Sequence, residues 1–465
     1  MRFSGKVLVL GLFVLWVMLG CTKQTPLSFE GQPNFVIILI EDLRYDALTG
    51  NHPMGATPNL DQLARQGFRF NQFFTTQASA PAAKAAILTG RYNMVNGVNS
   101  LADANLARKE RPIAKILAEQ GYETALVGKW PIETLPKNAG FSHAVHFFSN
   151  GPYYNREVIL NNGQKSKATG FIEDFLVEQS IAYIQEIKNQ KKPFALVLAP
   201  QLPHYEANGK WNVAQERVEA NTQRVKDQLY MQEQLLTTKP VYLLNGWHRE
   251  KALSLGIDNP DSLLLVQASY YAAVSILDEA LGKFIEFMKN TGLEQNTYVI
   301  VAGTNGFLLG EHKLVGSLLP YENAIRTPLI MKGPGIAPGS SVQMTLHLDL
   351  APTILALASV PLPKNLHGES LIPLLKGEQV PWRDSFLYEA QPSELGTWPC
   401  LAIRTKEWKY IQTFDINEPE ILAFEELYNL KYDPFELNNL ASGSSTEEVV
   451  LRFSAELAEK KSAIQ

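Results

Sequence analysis

Two cysteines in 465 residues, Cys21 and Cys400, are too few for a disulfide framework. The fold must therefore be held by its core. Positive charge is not in excess either. The chain has 42 Lys and Arg against 47 Asp and Glu, a net charge of −5, so it lacks the basic footprint of a nucleic-acid binder and no such partner is expected. Local basic pockets for anions are compatible with that balance. The N-terminal apolar stretch, residues 7–19, is shorter than the ~20 residues a membrane helix needs. What is present is an ordinary globular composition, 45% hydrophobic and 19% charged, in a chain long enough for one large core domain and a smaller one.

Arg2 and Lys6 precede the apolar stretch, which closes on Leu19-Gly20-Cys21. A charged start followed by an apolar middle has the form of an export signal. The ending resembles a bacterial lipobox, in which Cys21 becomes the lipid-modified first residue. Residues 1–23 are therefore set apart as a lipoprotein-type signal segment, with a plain secretory signal or an uncleaved anchor as the alternatives. Each reading places the body outside the cytoplasm, in the periplasm or held to a membrane by the lipid at Cys21. Cys400 is then left alone and is expected to be a packed core thiol.

Residues 34–40, NFVIILI, form a continuous run rich in β-branched side chains, which predicts a strand buried on both faces. Residues 57–67, TPNLDQLARQG, carry helix punctuation, with Thr57 as N-cap, Pro58 at the first helical position and Gly67 as the stop. Further strands are expected at 123–127, 193–199 and 297–302, and helices at 171–188 and 268–291. This alternation predicts an α/β sheet covered on both faces. Ligands of such sheets gather beyond the carboxyl ends of the strands. That rule singles out Glu41-Asp42, Gly128-Lys129-Trp130, Pro203-His204 and Gly303-Thr304-Asn305-Gly306. The pattern breaks at 377–383, GEQVPWR, dividing a body of residues 24–380 from a C-terminal subdomain of residues 381–465. The subdomain has a strand-like stretch, LAIRTKEWKYIQ, and an amphipathic end from Glu447, and reads as a small antiparallel sheet with a terminal helix.

Several segments, in order, resemble the sulfatase family. They include PNFVIILIEDLRYDAL, TPNLDQLARQGFRFNQFF, GYETALVGKW, PFALVLAPQLPH, YYAAVSILDEALGKFI, GFLLGEH, RTPLIMKGPGI and DLAPTILALA, and they run from Pro33 to about Ala441. The closing block LYNLKYDPFELNNLA is similar to the signature of the family's small C-terminal domain. The layout around His204 looks most like the iduronate-2-sulfatase branch. The resemblance implies an alkaline-phosphatase-like fold, with a large mixed sheet sandwiched by helices and a smaller C-terminal antiparallel sheet plus helix. It also implies hydrolysis of sulfuric esters by a formylglycine hydrate. In that family a calcium ion is held by three aspartates and an asparagine or histidine, and lysines, histidines and an arginine surround the sulfate, so the resemblance implies the same set here.

Residue by residue, the family's chemistry meets substitutions. Residues 78–92, ASAPAAKAAILTGRY, keep the frame of the active-site signature, which reads Cys or Ser, any residue, Pro or Ala, any residue, Arg, and ends in Leu-Thr-Gly-Arg. Ala80 stands at the nucleophile and Lys84 at the arginine. An alanine methyl cannot become a formylglycine, so none is expected. Ser79, one place out of register, is either a phosphatase-type nucleophile or a helix cap. Glu41 and Asp42 match the first metal pair, and Glu41 is one methylene too long. At the second pair Thr304 replaces a charged ligand and Asn305 offers a carbonyl. Calcium is thus expected to be weak or absent, because affinity follows ligand charge. Lys129 matches a sulfate-contacting lysine, with Pro131 in place of the histidine that usually follows. His204 matches the leaving-group histidine, and Ser317 falls where a lysine belongs. Arg91 closes the signature.

Changes at Ala80, Lys84, Pro131, Thr304 and Ser317 in one pocket lead to the main expectation. It is a sulfatase-fold protein that does not hydrolyse and binds a sulfated saccharide or another anion through Lys84, Arg91, Lys129 and His204. Two alternatives stay open. One is an active sulfate-ester hydrolase or phosphoesterase using Ser79 or water; the other is an assembly partner of an active sulfatase. The oligomeric state is not legible in the sequence.

Overall fold

The computed structural model describes residues 31–48, 56–100, 102–187, 192–226, 239–393 and 395–464. Cys21 and the signal segment lie outside them. β1 (Asn34–Ile40) explains its own sequence. Val36, Ile38 and Ile40 pack into one core while Phe35, Ile37 and Leu39 pack into another on the opposite face. A strand with protein on both faces has no position for a polar side chain, which is why the run is apolar throughout.

In chain order the main sheet continues with β2 (Phe68–Phe74), β3 (Glu123–Lys129), β4 (His143–Phe147), β5 (Glu157–Ile159), β6 (Lys165–Lys167), β7 (Phe194–Ala199) and β8 (Thr297–Gly303). A small ribbon of β9 (Leu308–Leu309) and β10 (Val315–Gly316) follows, and β11 (Arg326–Lys332) and β12 (Gly339–Leu346) complete the sheet. The ten strands lie in the order β12-β2-β11-β8-β1-β7-β3-β4-β5-β6. β8, β1, β7 and β3 are neighbours and all parallel, so their carboxyl ends open on one edge. β11 runs antiparallel to β8 and β2, which makes the sheet mixed.

Sequence and structure differ at some boundaries for identifiable reasons. The helix expected at 268–291 runs Pro260–Asn290, because the Asn259 side chain accepts from the amides of Asp261 and Ser262 at 2.9 and 3.1 Å and Pro260 opens the first turn. β3 extends through Gly128 and Lys129 rather than ending before them. Gly128 has φ 117, and a Cβ there would lie 1.9 Å from the Ala199 carbonyl oxygen, so only glycine lets β3 and β7 meet at this point. The helix expected at 171–188 is Ile172–Ile187.

The C-terminal part forms a separate four-stranded antiparallel sheet, β13 (Ser385–Ala390), β14 (Cys400–Thr405), β15 (Trp408–Phe414) and β16 (Leu422–Asn429). The strand-like stretch of residues 401–412 is thus a hairpin, turning between β14 and β15. Helix Glu447–Ile464 lays Phe453 and Leu457 on this sheet. Cys400 is buried at the start of β14, and burial pushes its thiol pKa well up, as for an inert packed thiol.

Candidate functional site

The four parallel strands deliver four polar groups to one edge. Glu41 and Asp42 follow β1, Lys129 ends β3, His204 stands on the loop after β7, and Thr304 and Asn305 follow β8. A cavity of about 720 Å³ opens over them, within the range of small-ligand sites. Ser79 and Ala80 enter it from the start of helix Ala80–Thr89. Asp42 adopts left-handed backbone, φ 54, a conformation that aspartate tolerates better than most residues.

Glu41 is the hub. Its Oε1 lies 2.5 Å from the Lys84 ammonium and its Oε2 2.5 Å from that of Lys129, all three side chains being buried. Burial alone would raise the Glu41 pKa, but the charges of Lys129 and Lys84 bring it down to about 2. Lys84 also donates to the Lys129 carbonyl at 2.9 Å. Burial draws its pKa down, against the pull of Glu41. Lys84 is therefore sealed behind Glu41 and does not face the cleft as a free cation.

Asp42 is in a different state. Its Oδ1 accepts from Asn305 Nδ2 at 2.6 Å, while Oδ2 has no hydrogen-bond partner and lies 3.5 Å from His204 Nε2. Burial is the main reason its pKa rises to about 7, with Glu41 adding to the rise against the Asn305 bond. His204 is held near 3, first by burial and then by the charge of Lys129. Its Nδ1 lies 3.0 Å from the Tyr205 carbonyl, so the ring proton sits on Nδ1 and Nε2 is an acceptor facing Asn150 Nδ2 at 3.4 Å.

The donor set does not fit calcium, which needs six to eight oxygen ligands. Both Glu41 oxygens face ammonium groups. Asn305 turns its NH2 toward Asp42, and its carbonyl accepts from the Thr304 hydroxyl at 3.0 Å. Among the described residues no group of three or more His, Cys, Asp or Glu is placed to hold a metal. Both ammoniums are already engaged by Glu41.

The remaining expected residues separate. Ser79 occupies the N-cap position, but its side chain makes no capping bond, and its buried hydroxyl has no hydrogen-bond partner. Ser317 and Pro131 line the cleft without bringing charge, and the Ser317 carbonyl accepts from His248 at 2.7 Å. Arg91 does not line the cleft; its guanidinium is paired with Glu110 at 2.5 Å.

Sequence reasoning missed Asn150, whose Oδ1 accepts from Lys129 Nζ at 2.5 Å, and the aromatic walls Phe148, Tyr205, Trp247 and Phe307. Asn150 and Phe148 lie on the loop after β4, and no motif marks them. Arg156 braces this loop, donating to the Ser149 carbonyl at 2.8 Å and to Gln201. Glu173 holds the next loop by accepting from the amides of Gln201 and Leu202 at 2.9 and 2.7 Å.

Residues 33–360 match the family model described as Sulfatase, and residues 310–463 match the one described as N-sulphoglucosamine sulphohydrolase, C-terminal. The chain belongs to the sulfatase family. It is 27% identical to the N-acetylglucosamine-6-O-sulfatase of Bacteroides thetaiotaomicron, over 88% of this chain and 82% of that one. It is 25% identical to the arylsulfatase of Clostridium perfringens, over 90% and 92%. Among solved structures, a protein in complex with its substrate D-glucosamine-2-N,6-O-disulfate superposes with a TM-score of 0.78 at 23% identity, covering 93% of this chain and 98% of that one. The phosphonate monoester hydrolase of Silicibacter pomeroyi gives 0.77 at 20%, covering 93% and 96%.

Proposed function

We propose that this chain binds a glycan in the cleft where its relatives cleave sulfate esters, and does not itself hydrolyse them. The observation that carries this reading is Ala80. It lines the cleft at the head of its helix, where the family signature has its reacting residue, and a methyl group forms no ester or hydrate. Groups that act as a unit around a nucleophile lose their effect together when it is gone. A glycan ligand is supported by the relatives, one of which is a sulfatase of N-acetylglucosamine and another of which is solved with a sulfated glucosamine. The same donor chemistry leads us to propose that the protein works without calcium. We also place it outside the cytoplasm, anchored through Cys21.

A rival reading uses Ser79 as nucleophile, and its buried hydroxyl on the cleft wall favours that reading. Among the described residues no base is within hydrogen-bond reach of it, because the Ser79 hydroxyl has no hydrogen-bond partner. Metal content and turnover on one preparation test the proposal, with an aryl sulfate, a sulfated glycosaminoglycan and an aryl phosphonate as substrates. The expected outcome is no turnover and no stoichiometric calcium, with saccharide binding retained. Turnover that disappears in Ser79→Ala overturns the proposal in favour of the serine.

A further inference from the structure

We infer that the sugar unit seated on the cleft floor presents a free hydroxyl there, so that the bound glycan unit is unsulfated or already desulfated at that position. This rests on the glycan-binding reading above and narrows it. A sulfate monoester offers only acceptor oxygens and a negative charge. It needs unoccupied cations and donors. The floor has two ammoniums, and both are engaged by Glu41. Lys129 additionally donates to Asn150. His204 presents Nε2 as an acceptor, Arg91 is paired with Glu110 elsewhere, and Pro131 and Ser317 add no charge.

The unpartnered polar atoms have the opposite character. Asp42 Oδ2 is a carboxylate oxygen with no hydrogen-bond partner on a residue only 4% exposed. Ser79 Oγ is unpartnered on a residue 1% exposed, and both residues line the cavity. A sugar hydroxyl can donate to the Asp42 carboxyl and can accept from the Ser79 hydroxyl, whereas a sulfate monoester brings no donor to either. One feature pulls the other way, the start of helix Ala80–Thr89, which amounts to roughly half a positive charge. Pro81 in its first turn has no N–H to offer. That partial charge faces the Asp42 carboxyl, and Glu133 in the cavity lining adds a further acidic group. Phe148 and Trp247 supply apolar walls suited to the face of a pyranose ring.

Calorimetric titration with matched sulfated and desulfated disaccharides from heparin, chondroitin sulfate and ulvan tests this on the wild type and Glu41→Gln. The wild type is expected to bind a desulfated member at least about tenfold more tightly than its sulfated counterpart, the effect of leaving one buried acceptor unpaired. Glu41→Gln releases both ammoniums, so the preference should narrow or reverse, and inorganic sulfate should raise the Tm of the variant but not of the wild type. Should the variant fail to fold, the wild-type comparison still decides. Tighter binding of the sulfated member overturns the inference and leaves the glycan-binding reading standing. Binding of neither member overturns both.

Discussion

One methylene distinguishes Glu41 from the aspartate the family resemblance puts there, and its consequence is a carboxylate that reaches two lysines at once. Buried charges persist only when paired, and removing one partner of a buried pair leaves a charge without compensation. Lys84→Met leaves Glu41 with Lys129 alone and one oxygen unsatisfied, and is therefore expected to destabilise the protein by about 1–3 kcal/mol, visible as a lower midpoint in urea unfolding. A loss below about 1 kcal/mol, the range of exposed pairs, would mean that Lys84 does not hold Glu41. The sequence made the floor residues Glu41, Asp42, Lys129, His204 and Asn305 legible because each directly ends or follows an apolar strand. It did not reveal what they bind. Whether an ammonium points at a ligand or at a glutamate depends on side-chain direction across neighbouring strands, which strand periodicity alone does not specify. Arg91 shows the same limit: it closes the signature in sequence and pairs with Glu110 in space.

Elements place the site, and one junction holds two of them together. Lys409 on β15 is fully buried. It donates to Glu436 at 2.6 Å and to the Pro320 carbonyl at 2.8 Å, and it lies 2.9 Å from Glu322 beside β11. Arg404 on β14 reaches the same Glu322 at 3.1 Å, and these charges draw the Glu322 pKa well down against its burial. Lys409→Met should cost about 3–5 kcal/mol by stranding buried carboxylates. Hydrogen exchange should then show protection lost first in β13 to β16, with β1, β7 and β8 retained. Uniform loss across both sheets would show that the small sheet has no opening of its own. At this scale the sequence was read well where periodicity is strong, as in β1, and less well where a cap decides. The Asn259-Pro260 start carries a start signal, yet the apolar spacing becomes regular only further along the helix. The cleft walls escaped for a related reason, since Phe148 and Trp247 come from a loop and a short helix with no periodic pattern.

For the whole molecule, the sum of buried ionisable groups sets the pH range of stability. His146 and His248 are held at about 4, His204 and His347 at about 3, and His312 well below its ordinary value, in each case first by burial. Their folded pKa lies below the unfolded 6.5, so the unfolded chain takes up protons that the folded chain refuses. The stability they carry is present above that value and is lost as pH falls toward their folded values. Asp42, Glu173 and Glu389 act oppositely, being raised by burial to about 7 from 3.8 and 4.5. Their contribution is present below the unfolded values and is lost as pH rises to 7. From pH 4.5 to 6.5 the two sets oppose each other. Below that window the raised carboxyls are protonated in both states and drop out. The histidines still charge only in the unfolded chain, and Glu41, held at about 2, stays ionised only in the folded one. Each such group then removes ~1.4 kcal/mol per pH unit. Scanning calorimetry should therefore find a Tm that declines moderately from about pH 6.5 to 5, where the five histidines outnumber the three carboxyls, and collapses between about pH 4.5 and 3. A Tm that stays level down to about pH 3 would mean that these rings are not held neutral in the fold and that Glu41 is not held ionised by its lysines.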